Sequence, residues 1–127
     1  MVSRNNLDFS RQGEGIAADF LKARGYKIIA QNYRTKLGEI DIIARHKDIY
    51  CFVEVKTRHS DKFGLPQEAV SKFKQRQISK AALVFLKENL LLDKKSRFDV
   101  VSIIYANDAP RIDLIQDAFD LDESFTL

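Results

Sequence analysis

The chain has 127 residues, 45% hydrophobic and 31% charged, which is one ordinary domain with its own core, too short for two and too apolar to stay disordered. Its 21 Lys and Arg against 18 Asp and Glu leave a formal charge of +3, which accommodates a nucleic-acid partner without demanding one. No apolar run is long enough to span a bilayer, so no membrane partner is expected.

The first predicted element is a helix over Gly13–Arg24. Ile16, Ala17, Phe20 and Leu21 recur at helical spacing, and Gly25 stands where a left-handed C-terminal cap belongs. Asn6 and Ser10 are both N-cap candidates. Strands are predicted over Tyr26–Tyr33, Glu39–Arg45 and Ile49–Thr57, the last two joined by the polar turn His46-Lys47-Asp48. Asp61–Pro66 reads as a loop. A long amphipathic helix follows, with Val70, Phe73, Ile78, Ala81, Ala82, Phe85 and Leu86 as its apolar side. Two strands, Phe98–Tyr105 and Arg111–Ile115, complete the pattern, and the acidic tail from Asp117 reads as a short helix or a frayed end. Helix, three strands, helix and two strands describe an α/β or α+β domain, a mixed sheet with helices packed on it, over the single unit 1–127. The opening Met-Val-Ser-Arg-Asn-Asn has no apolar signal core, and the lone Cys51 cannot close an internal disulfide. Both fit a cytoplasmic protein.

The second and third strands carry the chemistry. Strand alternation puts Glu39, Asp41 and Ile43 on one face of the second strand, with Ile40, Ile42 and Ala44 on the other. On the third, Tyr50, Phe52, Glu54 and Lys56 share a face. If Lys47 and Asp48 close a two-residue hairpin, paired positions add to 95. Asp41 then lies across from Glu54 with Cβ atoms roughly 5 Å apart. Like charges so placed on a half-buried sheet need neutralising, and Mg²⁺ or Mn²⁺ bridging the two carboxylates would do it. Lys56 points the same way as Glu54 and suits orienting a water or stabilising charge on a phosphate. Glu14, on the first helix, faces the sheet beside Ala17, Ala18 and Leu21. A plainer reading stands beside each: a solvated ion pair for Glu54 and Lys56, a helix-dipole acid for Glu14, pairing with Arg34 or Lys36 for Asp41 and Glu39.

These residues fall in ordered motifs: Gly13-Glu14, Asn32-Tyr33-Arg34, Gly38-Glu39-Ile40-Asp41-Ile42-Ile43 and Phe52-Val53-Glu54-Val55-Lys56-Thr57-Arg58, continued by Phe63-Gly64, Glu68-Ala69-Val70, Lys74, Ala81-Ala82 and Arg97-Phe98-Asp99-Val100. From about Gly13 to Phe119 the chain resembles the YraN family, bacterial proteins of largely uncharacterised function in the restriction-endonuclease-like superfamily. The resemblance implies a mixed sheet flanked by helices, similar to that of Holliday-junction resolvases, and a PD-(D/E)XK site. Asp41 takes the place of the motif aspartate, Glu54 and Lys56 that of the D/E-x-K, and Glu14 that of the helical glutamate. The proline that often precedes the aspartate is Ile40 here, and the family's frequent tryptophan is Tyr33.

Lys74 and Gln75, opening the second helix, and Arg34, Lys36 and Arg58 in neighbouring loops are the candidate nucleic-acid contacts, although an ordinary solvated face explains any single one of them as well. His46 and His59 have no partner at metal-ligand spacing, and Cys51 alternates into the core. The expected protein is a Mg²⁺- or Mn²⁺-dependent endonuclease on DNA, with branched or recombination intermediates as candidate substrates. A homodimer would suit symmetrical cutting. The alternative is a nucleic-acid-binding or partner-binding protein that keeps the fold without catalysis.

Overall fold

In a computed structural model of the chain, residues 4–59, 70–106 and 109–122 are described. The order is α1 (Arg4–Ala23), β1 (Lys27–Arg34), β2 (Glu39–His46), β3 (Ile49–Arg58), α2 (Lys72–Glu88), β4 (Ser96–Ala106) and β5 (Ala109–Phe119). The strands form one mixed sheet in the order β1-β2-β3-β4-β5, a restriction-endonuclease-like α/β arrangement in a single domain. Among the described strands only β3 and β4 run parallel, and they are the pair joined through a helix, as parallel neighbours require.

Among the described residues, one helix covers each face of the sheet. Ala17, Ala18 and Leu21 of α1 pack on Ile42, Ala44, Cys51, Val53, Val55, Val101 and Ile103. Ile78, Ala81, Ala82, Phe85 and Leu86 of α2 pack on Ile43, Phe52, Phe98 and Val100. The alternation of β3, which is apolar on both sides, follows from being central and covered twice.

The end of α1 follows the sequence expectation. Gly25 has φ 88, and its N–H and that of Tyr26 donate to Lys22 and Leu21, closing a Schellman cap. The beginning does not. The helix starts at Arg4, so Asn6 and Ser10 both lie inside it and neither is the N-cap. Ser71 caps α2, accepting the N–H of Lys74 at 3.1 Å. Phe73, expected on the apolar side, is 68% exposed, because the buried stripe of α2 begins only at Ile78. The tail is also corrected: Asp117–Phe119 belong to β5, held by Asp117 N–H donating to Asp99. The predicted loop at 61–66 lies outside the described residues.

The β2–β3 register is the expected one. Pairs run from His46–Ile49 to Ile42–Val53, all adding to 95. Lys47 and Asp48 form the tight turn without glycine, with φ of 56 and 119. One face assignment changes. Ile40 packs with Ile43 and α2, not with Ile42 and Ala44. The described β2–β3 pairing stops at Ile42, and opposite Asp41 on β1 lies Asn32 at φ 54, so the alternation is reset there.

A buried polar network lies on the α1 side. Asp99, fully buried, receives both Arg97 Nε, at 3.0 and 3.1 Å, and Tyr26 Oη, at 3.1 Å. Arg97 also donates to Tyr26 at 2.8 Å and meets His46 Nδ1 at 3.1 Å. Burial and the neighbouring Arg97 lower the His46 pKa. Burial pushes the Cys51 thiol up to about 12, which makes it an inert core residue.

Candidate metal and nucleic-acid site

The site forms where β2 parts from β3. One step beyond Ile42–Val53 the register would pair the backbones of Asp41 and Glu54. Instead, Asp41 Oδ2 accepts the N–H of Val55 at 2.8 Å, a side chain standing in for a strand carbonyl. Asp41 is thereby fixed against β3, and its carboxyl group interacts directly with that of Glu54.

Glu54 is 5% exposed, an unusual burial for a carboxylate. Burial first, and Asp41 second, push its pKa up to about 8, against the pull of Lys74 and Lys56. Asp41 is also raised by burial, but the Val55 N–H and Lys74 hold it back. Both carboxyls of the pair are therefore held above the ordinary carboxylate range. Lys74 Nζ is 3.9 Å from Glu54 Oε1, while Oε2 is buried with no hydrogen-bond partner among the described residues.

Glu14 reaches the same region from α1. Its pKa is raised by burial and by Asp41, and lowered by a hydrogen bond from the Asn32 side chain. Two glycines permit this convergence. A Cβ on Gly13 would stand 2.7 Å from Thr57 Cγ2, and one on Gly38 would overlap the backbone carbonyl of Gln77. Each motif glycine lets a backbone lie flush on its neighbour, Gly13 seating α1 on β3 and Gly38 seating the β1–β2 turn on α2.

Alternation carries Lys56 and Arg58 onto the Glu54 side of β3. Ser102 pairs with Lys56 across β3–β4. The Arg58 Nε and Nη2 atoms and Ser102 Oγ are buried without hydrogen-bond partners among the described residues. Unsatisfied groups of both signs on one face are costly unless a ligand completes them.

No three His, Cys, Asp or Glu side chains among the described residues are grouped to hold a metal ion together. The pair itself fits Mg²⁺ or Mn²⁺, which take one or two carboxylates and keep waters elsewhere, and the orphaned Oε2 is a ready ligand atom. Glu14 belongs to the surroundings of the pair rather than to a closed trio.

A groove of about 300 Å³ runs between the Thr35–Gly38 turn and α2. Arg34, Lys36 and Lys74 line it, which brings three of the five expected nucleic-acid contacts together. Thr35 Oγ1 accepts the N–H groups of Leu37 and Gly38, holding the turn. Arg58 stays with the carboxylate face. The Gln75 side chain donates to the Val70 carbonyl at 3.0 Å, so it is engaged in closing the start of α2. Lys74 is the link between groove and carboxylates, a role that its place in an amphipathic helix does not disclose. Strand alternation likewise gives Asn32 no role, although asparagine is among the few residues that readily adopt positive φ.

The chain is 52% identical to a UPF0102 protein of Geotalea uraniireducens over 118 residues, 92% of this chain and 93% of that one. It is 51% identical to a UPF0102 protein of Syntrophus aciditrophicus over 116 residues, 91% of each. The crystal structure of SSO0001 overlays with a TM-score of 0.41 and 15% identity, over 93% of this chain and 55% of that one, too loosely to bear on the site. The sequence profile of the uncharacterised protein family UPF0102 matches residues 13–103, a span that holds Glu14, Asp41, Glu54, Lys56 and Lys74. The chain belongs to the uncharacterised protein family UPF0102, the YraN family.

Proposed function

We propose that this protein is a divalent-metal-dependent endonuclease that hydrolyses phosphodiester bonds in DNA. The carrying observation is the buried Asp41–Glu54 pair, in which a carboxylate oxygen with no hydrogen-bond partner among the described residues stands beside two lysines. Asp41 and Glu54 would hold Mg²⁺ or Mn²⁺, with Glu14 acting through a bound water. Such an ion supplies Lewis-acid polarisation of the phosphate and a water of lowered pKa.

The chain's own groups do the rest. Asp41, locked by the Val55 N–H, gives one ligand oxygen a fixed direction. Lys56 orients the attacking water and faces the negative charge that grows on the phosphate. Arg58, whose Nε and Nη2 have no hydrogen-bond partner among the described residues, would offer its guanidinium to a phosphate oxygen. Arg34 and Lys36 neutralise the backbone further along the groove.

The rival is a nucleic-acid-binding protein without catalysis. One observation favours it: Lys74 already brings a positive charge to Glu54, which partly does what a cation would do. The two are separated by incubating linear, nicked, flapped and four-way DNA with Mg²⁺, Mn²⁺ or EDTA, using wild type and Asp41→Asn. Metal-dependent cutting that Asp41→Asn abolishes establishes the nuclease. Binding with no metal-dependent cutting of any substrate assigns the rival.

A further inference from the structure

Phe73 is the most conspicuous unexplained side chain near the site. It sits in the first turn of α2 and is 68% exposed, a costly position for a large aromatic ring in water. Its neighbours in sequence are Lys72 and Lys74. On the helix it precedes Gln77 by one turn, and Gln77 lines the basic groove and meets Gly38. Phe73 therefore stands at the rim of a groove with Arg34, Lys36 and Lys74 in its wall, and Lys74 leads from that wall to Glu54.

We propose that Phe73 is a stacking platform for an unpaired base of a DNA strand, whose phosphates lie along Arg34, Lys36 and Lys74. The inference rests on reading the groove as a nucleic-acid site, and adds the substrate class: DNA with a single-stranded segment next to the bond that is cut. Charge complementarity selects this occupant. A flat apolar face beside cations matches the stacked bases and phosphates of a single strand. In an intact duplex the base faces are covered by their neighbours, so Phe73 would find none to stack on. A second copy of the chain would bring the same cations against themselves.

The chain has no tryptophan, so Phe73→Trp creates a single reporter at the platform. Its fluorescence is titrated in EDTA with oligo(dT) and with a blunt duplex, and affinities are compared between wild type and Phe73→Ala. An exposed position tolerates both changes without loss of folding. Strong quenching by oligo(dT) and little by the duplex is expected, with Phe73→Ala weakening oligo(dT) about ten-fold and leaving the duplex unchanged. Absence of quenching at saturation, equal quenching by the duplex, quenching by oligo(rU) alone, or an unchanged affinity of Phe73→Ala would each overturn it. Loss of a dimer in Phe73→Ala, read by light scattering, would assign the ring to self-association instead. Because the titration needs neither metal nor cleavage, quenching by a protein that cuts nothing would leave this inference standing and remove the nuclease reading alone.

Discussion

The carboxylate of Asp41 takes the backbone N–H of Val55 at 2.8 Å, so one candidate ligand fixes the strand that carries the other. An amide oxygen can accept that hydrogen bond as well as a carboxylate, whereas alanine leaves a buried donor without a partner. Asp41→Asn should therefore unfold near the wild-type temperature, and Asp41→Ala should lose about 1–3 kcal/mol. Thermal and urea unfolding of the two variants check this. Equal stability of both would mean that the hydrogen bond does not hold the strands.

Glu54 yields a pH dependence with a definite sign. Its folded pKa is raised from 4.5 to about 8, so the folded chain holds this proton more tightly than the unfolded one. The associated stability is fully present below pH 4.5 and is lost as pH rises through about 8. Glu54→Gln stays neutral throughout, so its advantage over wild type should grow across that window in EDTA. Under the proposed function a cation displaces the proton, and stabilisation by Mn²⁺ should be larger at pH 8 than at pH 6. Unfolding curves at both pH values, with Mn²⁺ and with EDTA, measure each effect. A Mn²⁺ shift that shrinks as pH rises would count against Glu54 as a ligand.

Much of this site was legible because strand geometry is simple. A two-residue turn at Lys47-Asp48 sets the β2–β3 register by counting, and alternation then puts Glu54 and Lys56 on one face. What could not be counted was the break in pairing at Asp41, where a side chain replaces a carbonyl and Ile40 changes face. Helix periodicity likewise misplaced Phe73, since an apolar residue in the right phase is buried only where the sheet extends beneath it. Residues 97 to 99 gave no hint that Arg97 and Asp99 would meet Tyr26 and His46, contacts that tertiary packing alone creates.

Charge reversal tests the groove. Arg34 is largely exposed and its bond to Glu39 is long, at 3.4 Å, so Arg34→Glu and Lys36→Glu should leave the fold intact. Each should weaken DNA binding uniformly across sequences and reduce the slope of log affinity against log salt by about one. Fluorescence anisotropy over a salt series reads both. An unchanged slope in both variants would put the DNA elsewhere.

Asp99 governs stability rather than chemistry. It is fully buried and joined to Arg97, Tyr26 and the Asp117 N–H, so Asp99→Ala strands a largely buried guanidinium and frees the start of the β4–β5 pairing. A loss of about 3–5 kcal/mol is expected in chemical unfolding. A loss below about 1 kcal/mol would show that Arg97 finds solvent or His46 in its place.

The two motif glycines should respond differently to the same methyl group. At Gly13 the added Cβ meets Thr57 Cγ2 and Oγ1, atoms of a side chain that a smaller residue can withdraw. At Gly38 it meets the backbone carbonyl of Gln77, which cannot be trimmed and moves only if α2 moves. Gly13→Ala should cost about 1–3 kcal/mol and be largely rescued by Thr57→Ala. Gly38→Ala should cost at least as much, with no side-chain rescue. It should also widen the groove that Lys74 and Gln77 share with the β1–β2 turn, because relieving the overlap lifts one from the other. Unfolding of the single and double variants measures the first contrast, and DNA affinity of Gly38→Ala measures the second. Rescue of Gly38→Ala by Gln77→Ala would mean that the obstruction is the Gln77 side chain, and the close backbone approach would lose its claim to explain the glycine.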